Sequence, residues 1–186
     1  MILNCTNIIK TICGTVYVIN SNKLNVYKSN FKSKRDFERT CLKEIINKIL
    51  GNYEVTHEIN GAPYIKSKPE IKLSISHSNN WFSIYISNNE TIGVDIQVFD
   101  KEIKNNGEYF INQYEALNLE LTKKNIHLIW CIKEALYKKL CGNIKDFKND
   151  IIVVKIESEI IQLKYLSTIY KLKYLITTEF YLVYTI

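Results

Sequence analysis

The chain is expected to fold as an α+β protein built from two similar halves, and three observations lead to that reading. Short runs of β-branched and aromatic residues alternate with two long stretches of helical apolar spacing. The order strand, helix, several strands then occurs twice, which divides the chain into residues 1–90 and 91–186 of one compact unit. Two prolines and six glycines in 186 residues, beside abundant Ile, Leu, Tyr and Phe, suit a buried core and argue against disorder. Each half is expected to hold a small antiparallel sheet against one long helix. The repeat lies in the order of elements; none is visible in the residues themselves.

Gly14 to Ile19, Gly-Thr-Val-Tyr-Val-Ile, reads as the first strand. A helix is expected over 32–50, with Phe37, Cys41, Leu42, Ile45, Ile46 and Ile49 on its apolar face and Gly51 as its stop. Lys32, Lys34, Arg35 and Arg39 make its start basic, either as a solvated face or as a phosphate contact. Gly61-Ala-Pro-Tyr64 is a turn into extended chain, because Pro fixes its own φ and keeps its predecessor out of the helical region.

Strands are expected over 71–77, 81–87 and 91–97, separated by the turn-forming pairs Asn79-Asn80 and Asn88-Asn89. A simple meander of the three would set His77 near Trp81, Trp81 near Gln97 and Ser83 near Asp95. In Ile92-Gly-Val-Asp-Ile-Gln97 the period is two, so Gly93, Asp95 and Gln97 share the face opposite Ile92, Val94 and Ile96. A carboxylate inside a β-branched strand runs against propensity and must meet water, a partner or a cation. Such local conflicts mark functional sites.

Residues 100–107 form a polar link, and helices are expected over 109–119 and 126–140. The second carries two stripes. Ile129, Ile132, Leu136 and Leu140 make the apolar one; Trp130, Glu134 and Lys138, four apart, lie roughly opposite, and Gly142 ends the helix. Read alone, Glu134 and Lys138 are an ordinary surface pair. Strands are expected over 151–156, 160–166, 170–177 and 180–186.

The net charge of +6 is spread over scattered lysines, which suits an acidic partner or a phosphate-bearing ligand. With no Lys/Arg-rich tail and no RNA-binding aromatic signature, nucleic acid is not expected. Five cysteines without a C-x-x-C pair point to buried thiols in a reducing cytoplasm, not to a disulfide frame or a zinc site. Met1 to Lys10 is too polar for a signal peptide's apolar segment. No apolar run approaches about 18 residues, so no membrane span is expected.

Four motifs occur in order: Gly61-x-Pro63, Ser74-Ile-Ser-His-Ser78, Gly93-Val-Asp-Ile-Gln97 and Trp130-x-x-Lys-Glu-Ala-x-x-Lys138. Together they resemble the 4′-phosphopantetheinyl transferases, of the larger, two-halved, surfactin-synthetase-activating type. By motif the resemblance covers roughly residues 30 to 142, and by element order the whole chain. The Val-Asp-Ile strand followed about forty residues later by the Trp-x-x-Lys-Glu-Ala-x-x-Lys helix is its specific part.

The resemblance implies the fold of that family. It also implies Mg²⁺-dependent transfer of the phosphopantetheine arm of coenzyme A to a serine of an acidic apo acyl or peptidyl carrier protein, by a monomer. Asp95 and Glu134 match the metal-binding acids, with Gln97 beside them. Glu134 also matches the group that helps remove the serine proton, directly or through a metal-bound water. Lys138 matches the lysine that meets pyrophosphate charge. Ser76, His77, Arg39 and Thr40 match contacts to coenzyme A; His77 is otherwise a turn histidine, and Arg39 and Thr40 a solvated helix start. Trp130 reads as a packing residue at the junction of the halves, and Lys133 as a contact to phosphate or solvent.

Two positions depart from the pattern. Gln97 stands where the family often has a further acid, so weaker Mg²⁺ binding is expected. Titration of Gln97→Glu should then show tighter Mg²⁺ binding. Ala62 stands where many relatives carry a lysine for a coenzyme A phosphate; Lys66 or Lys68 is the expected substitute. These departures leave one alternative open, a catalytically weak protein that still binds coenzyme A or the carrier.

Overall fold

The computed structural model describes residues 7–88, 90–99 and 107–186, apart from the side chain of Lys28. The protein is mixed α+β, with two antiparallel sheets and few helices. In order come β1 (Asn7–Lys10), β2 (Gly14–Asn20), α1 (Lys34–Leu50), β3 (Val55–His57), β4 (Pro63–Ile65), β5 (Ile71–Ser78) and β6 (Trp81–Asn88). After them come β7 (Val94–Val98), α2 (Gln113–Asn118), α3 (Lys123–Lys139), β8 (Ile151–Ile156), β9 (Ile160–Tyr165), β10 (Thr168–Ile176) and β11 (Phe180–Thr185). The 100–106 part of the expected polar link lies outside the described residues, as does Cys5.

Sheet order is β1-β2-β6-β5-β4-β3 in the first sheet and β7-β11-β10-β9-β8 in the second. Apart from β1 and α2, one topology is therefore used twice: strand, long helix, four strands, with the last strand placed beside the first. The register gives the equivalence residue by residue. Val16 stands opposite Tyr85 and Asn20 opposite Trp81, while Val94 stands opposite Tyr184 and Val98 opposite Phe180. Equivalent rings also touch across the sheets, Trp81 with Phe180 at 4.6 Å and Tyr85 with Tyr184 at 6.5 Å between centroids. By the same register Asp95 occupies the place of Tyr17, and Gly93 that of Thr15.

Period-two alternation builds the layers. Val16, Val18, Trp81 and Tyr85 of the first sheet meet Val94, Ile96, Phe180, Leu182 and Tyr184 of the second. The opposite side chains of β6, Phe82 and Ile84, pack with Phe37, Cys41, Ile45 and Ile46 of α1. Those of β11, Tyr181 and Val183, pack with α3 through Ile129, Ile132, Ala135 and Leu136. The layer order is thus α1, first sheet, second sheet, α3. Each fully buried aliphatic or aromatic side chain of these cores contributes about 1.5–3 kcal/mol.

Helix starts follow polar caps rather than the first apolar residue. Ser33 accepts from the Asp36 amide, so α1 begins at Lys34 and not at 32. Thr122 accepts from the Asn125 amide and starts α3 at Lys123, ahead of the expected 126. Asn112 and Glu115 form a capping box that delays α2 to Gln113, past the expected 109. Past the end of α3, Gly142 takes φ 76°, which a side chain would strain, and its amide donates to the Tyr137 carbonyl at 3.0 Å.

The simple meander does not form. β5 and β6 are a hairpin, but β7 leaves for the second sheet and pairs with β11, so Asp95 stands opposite Val183 and Gln97 opposite Tyr181. Two short strands, β1 and β3, carry too few apolar positions for the period to reveal them. Among the described residues, no helix is long and apolar enough to cross a membrane.

Candidate active site between the two halves

β7 is the edge strand of the second sheet, and unpaired backbone on an edge must be covered. The serines of Ser74-Ile-Ser-His-Ser78 do this with side chains instead of a ladder. Ser74 Oγ accepts from the Val94 amide at 3.0 Å, and Ser78 Oγ accepts from the Val98 amide at 3.0 Å. Between them Ser76 Oγ donates to Asp95 Oδ1 at 2.6 Å. The alternate serines therefore join the sheets and aim the carboxylate.

Asp95 is 1% exposed and fully engaged. Lys138 Nζ donates to its Oδ1 at 2.6 Å and to the Val94 carbonyl at 3.2 Å, and Gln97 Nε2 donates to its Oδ2 at 3.1 Å. Burying a carboxylate is tolerable only with such partners. The helix comes this close because residue 93 is glycine. A Cβ there would run into the Ala135 carbonyl oxygen and lie 2.8 Å from the Lys139 amide nitrogen.

Glu134 sits one turn before Lys138, half-buried, with no hydrogen bond or ion pair of its own among the described residues. Burial pushes its carboxyl above the usual value, and the nearby charge of Asp95 pushes it further; Lys138 offsets part of this. The two acids from β7 and α3 thus feel each other's charge.

A cleft of about 250 Å³ opens beside them. Gly61, Ala62, Lys72 and Ser74 line it from the first half, and Glu134 and Lys138 from the second. Asn60, also in the lining, joins the two halves, its Nδ2 donating to the Cys141 carbonyl at 2.8 Å. A larger groove, about 770 Å³, lies between α1 and β3, lined by Arg39, Lys43, Tyr53 and His57 among others. Each lining carries one acid, Glu54 in the larger groove and Glu134 in the smaller cleft. Asp95 lies buried behind the smaller cleft, not in its lining, but its charge reaches Glu134, so the chemistry points there.

The remaining expected contacts lie elsewhere. His77 faces the α1 side of β5, where Nε2 is 3.2 Å from Glu38 and the ring stacks on Phe82. It is neither in the cleft lining nor bound to turn backbone. Thr40 Oγ1 donates to the Asp36 carbonyl in its own helix at 2.9 Å, and Arg39 lines the larger groove. Trp130 packs on Phe110 and Phe147, inside the second half rather than at the junction.

Lys133 meets neither phosphate nor solvent. It is buried against Glu115 at 2.9 Å and donates to the Lys148 carbonyl at 2.8 Å. Glu115 also accepts from the Val153 and Asn112 amides, so the pair ties α2, α3 and β8 together. Burial still lowers Lys133 from its usual value, with Glu115 opposing.

Among the described residues, no three His, Cys, Asp or Glu side chains gather as a metal site. Asp95 and Glu134 offer two carboxylates, and Gln97 an amide oxygen. All are hard oxygen donors, the chemistry a Mg²⁺ ion takes, and a divalent cation would relieve the repulsion between the two acids. Cys13, Cys41, Cys131 and Cys141 are free thiols; Cys41 and Cys131 are buried as expected, whereas Cys13 and Cys141 are only half-buried. No protein-family model matches this chain, and no curated protein matches it.

Proposed function

We propose that the protein is a 4′-phosphopantetheinyl transferase of the two-halved type, a holo-acyl-carrier-protein synthase with the corresponding fold. The observation that carries the reading is Lys138, bonded to the buried Asp95 and one turn from Glu134, with Lys138 and Glu134 lining a cleft between two topologically matched halves. Coenzyme A and a carrier serine are the co-substrates. The serine Oγ attacks the phosphorus bearing the pantetheine, the Oγ–P bond forms, and the bridging P–O bond of the pyrophosphate breaks. Adenosine 3′,5′-bisphosphate leaves.

Positioning and charge neutralisation do most of the work in such a transfer. Glu134 accepts the serine proton, and its raised affinity for protons suits a base working near neutrality. Lys138 meets the charge growing on the leaving phosphate. Asp95 and Glu134, with the Gln97 oxygen, would hold Mg²⁺, which supplies further neutralisation of the phosphate oxygens when bound. Ser76 and Gln97 hold Asp95 in place. The positive net charge suits an acidic carrier and speeds encounter. One chain supplies both walls of the cleft, which suits a monomer, and the free thiols suit the cytoplasm.

Intact-mass measurement of an apo carrier protein incubated with coenzyme A, Mg²⁺ and this protein tests the proposal. The expected result is a gain equal to the phosphopantetheine arm, absent with Asp95→Asn. The full engagement of Asp95 by Lys138, Ser76 and Gln97 favours one second reading, a binder without catalysis. It would show coenzyme A binding and no mass gain across a panel of carriers.

A further inference from the structure

Lys72, Ser74, Ser76 and Ser78 occupy alternate positions of β5 and so form one row. The three serines touch β7; the lysine continues the row into the lining of the cleft. Lys72 and Lys138 are the two basic side chains of that lining. Their situations differ. Lys138 is committed to Asp95. The Lys72 ammonium rests on the Pro69 carbonyl oxygen at 2.8 Å and has no carboxylate partner among the described residues.

A neutral carbonyl satisfies a donor and leaves the charge uncompensated. Beside it lie Gly61 and Ala62, which carry no charge, and Glu134 repels anions from its own part of the cleft. An anionic ligand is therefore drawn to the Lys72 end. The two lysines expected to serve here do not line the cleft, and Lys68 faces Glu70 at 3.8 Å.

We infer that Lys72 is the residue that grips a phosphate of the ligand in this cleft and supplies the cation missing at Ala62. On the transferase reading, on which this rests, that ligand is coenzyme A. The ammonium leaves the neutral Pro69 carbonyl and bonds a phosphate oxygen, so that both partners are charged and attract each other.

Calorimetric titration of coenzyme A into the full chain tests this. Lys72→Met should weaken binding about tenfold, which is about 1.4 kcal/mol, and flatten its salt dependence. Lys72→Arg should stay near the parent, and Ala62→Lys placed in Lys72→Met should recover most of the loss. Thermal melts should be unchanged, since the bond lost is to one exposed carbonyl. Pantetheine, which has no phosphate, should not distinguish parent from Lys72→Met. Equal coenzyme A affinity in parent and Lys72→Met overturns the assignment while leaving the transferase reading intact. If the parent neither binds coenzyme A nor modifies a carrier, both fall.

Discussion

Tyr17 and Asp95 hold the same place in two sheets of one topology, and their surroundings differ first in what covers the outer edge of the strand. β2 is covered by β1 through a backbone ladder, Ile8 opposite Tyr17. β7 is covered by three serine hydroxyls, and one of them is free to bind a carboxylate. The helices differ in the same sense. α1 carries its ion pairs at the surface, as in Lys48–Glu44, whereas α3 buries Lys133 and turns Glu134 and Lys138 to the cleft. Duplicated topology sets the scaffold; the edge covering decides which copy can seat a buried carboxylate.

The largest expected contrast is in turnover. Asp95→Asn should lower carrier modification by on the order of 10²–10³-fold, as loss of a key electrostatic group does, while Tyr17→Phe should leave it near the parent. Equal losses from the two would mean that the halves share the site. In stability, Lys133→Ala strands the buried Glu115 and should cost about 3–5 kcal/mol in urea denaturation. Lys48→Ala, on the exposed pair of α1, should cost less than about 1 kcal/mol. A double change, Lys133→Met with Glu115→Gln, should recover part of the first loss, because the neutral side chain keeps an oxygen for the amides of Asn112 and Val153.

Gly93→Ala forces a Cβ against the backbone of α3 and should cost about 1–3 kcal/mol. Thr15→Ala, at the equivalent position, should cost less; a thermal melt ranking them the other way would contradict the close approach of strand and helix. The smallest effect concerns pH. The folded state raises Glu134 above its usual 4.5, so charging it costs stability. The contribution of its protonated form is fully present below pH 4.5 and is lost as pH rises through the raised value. Melts of Glu134→Gln should therefore exceed the parent at pH 7.5 and match it below pH 4.5.

Much of this was legible in the residues because period and spacing report faces. The apolar stripes of α1 and α3, the strands of the second half, and the misfit of a carboxylate at 95 were all readable. Partners were not. Nothing in Val-Asp-Ile-Gln says that its strand pairs with residues 180–184 instead of with its neighbour β6. Lys133 and Glu115 each look like surface charges until α2 and α3 bring them together. The resemblance assigns Ser76 and His77 together to the ligand, but period two sets them on opposite faces of β5, and the residues do not name what Ser74, Ser76 and Ser78 touch.

A hydroxyl is amphoteric, and the joint between the sheets depends on it. Ser74 and Ser78 accept hydrogen bonds from amides, while Ser76, two residues from each, donates one to an anion. A peptide backbone offers donors and acceptors in a fixed alternation and cannot change polarity at one position. The row of serines can, so a negatively charged side chain is seated along the seam without interrupting it.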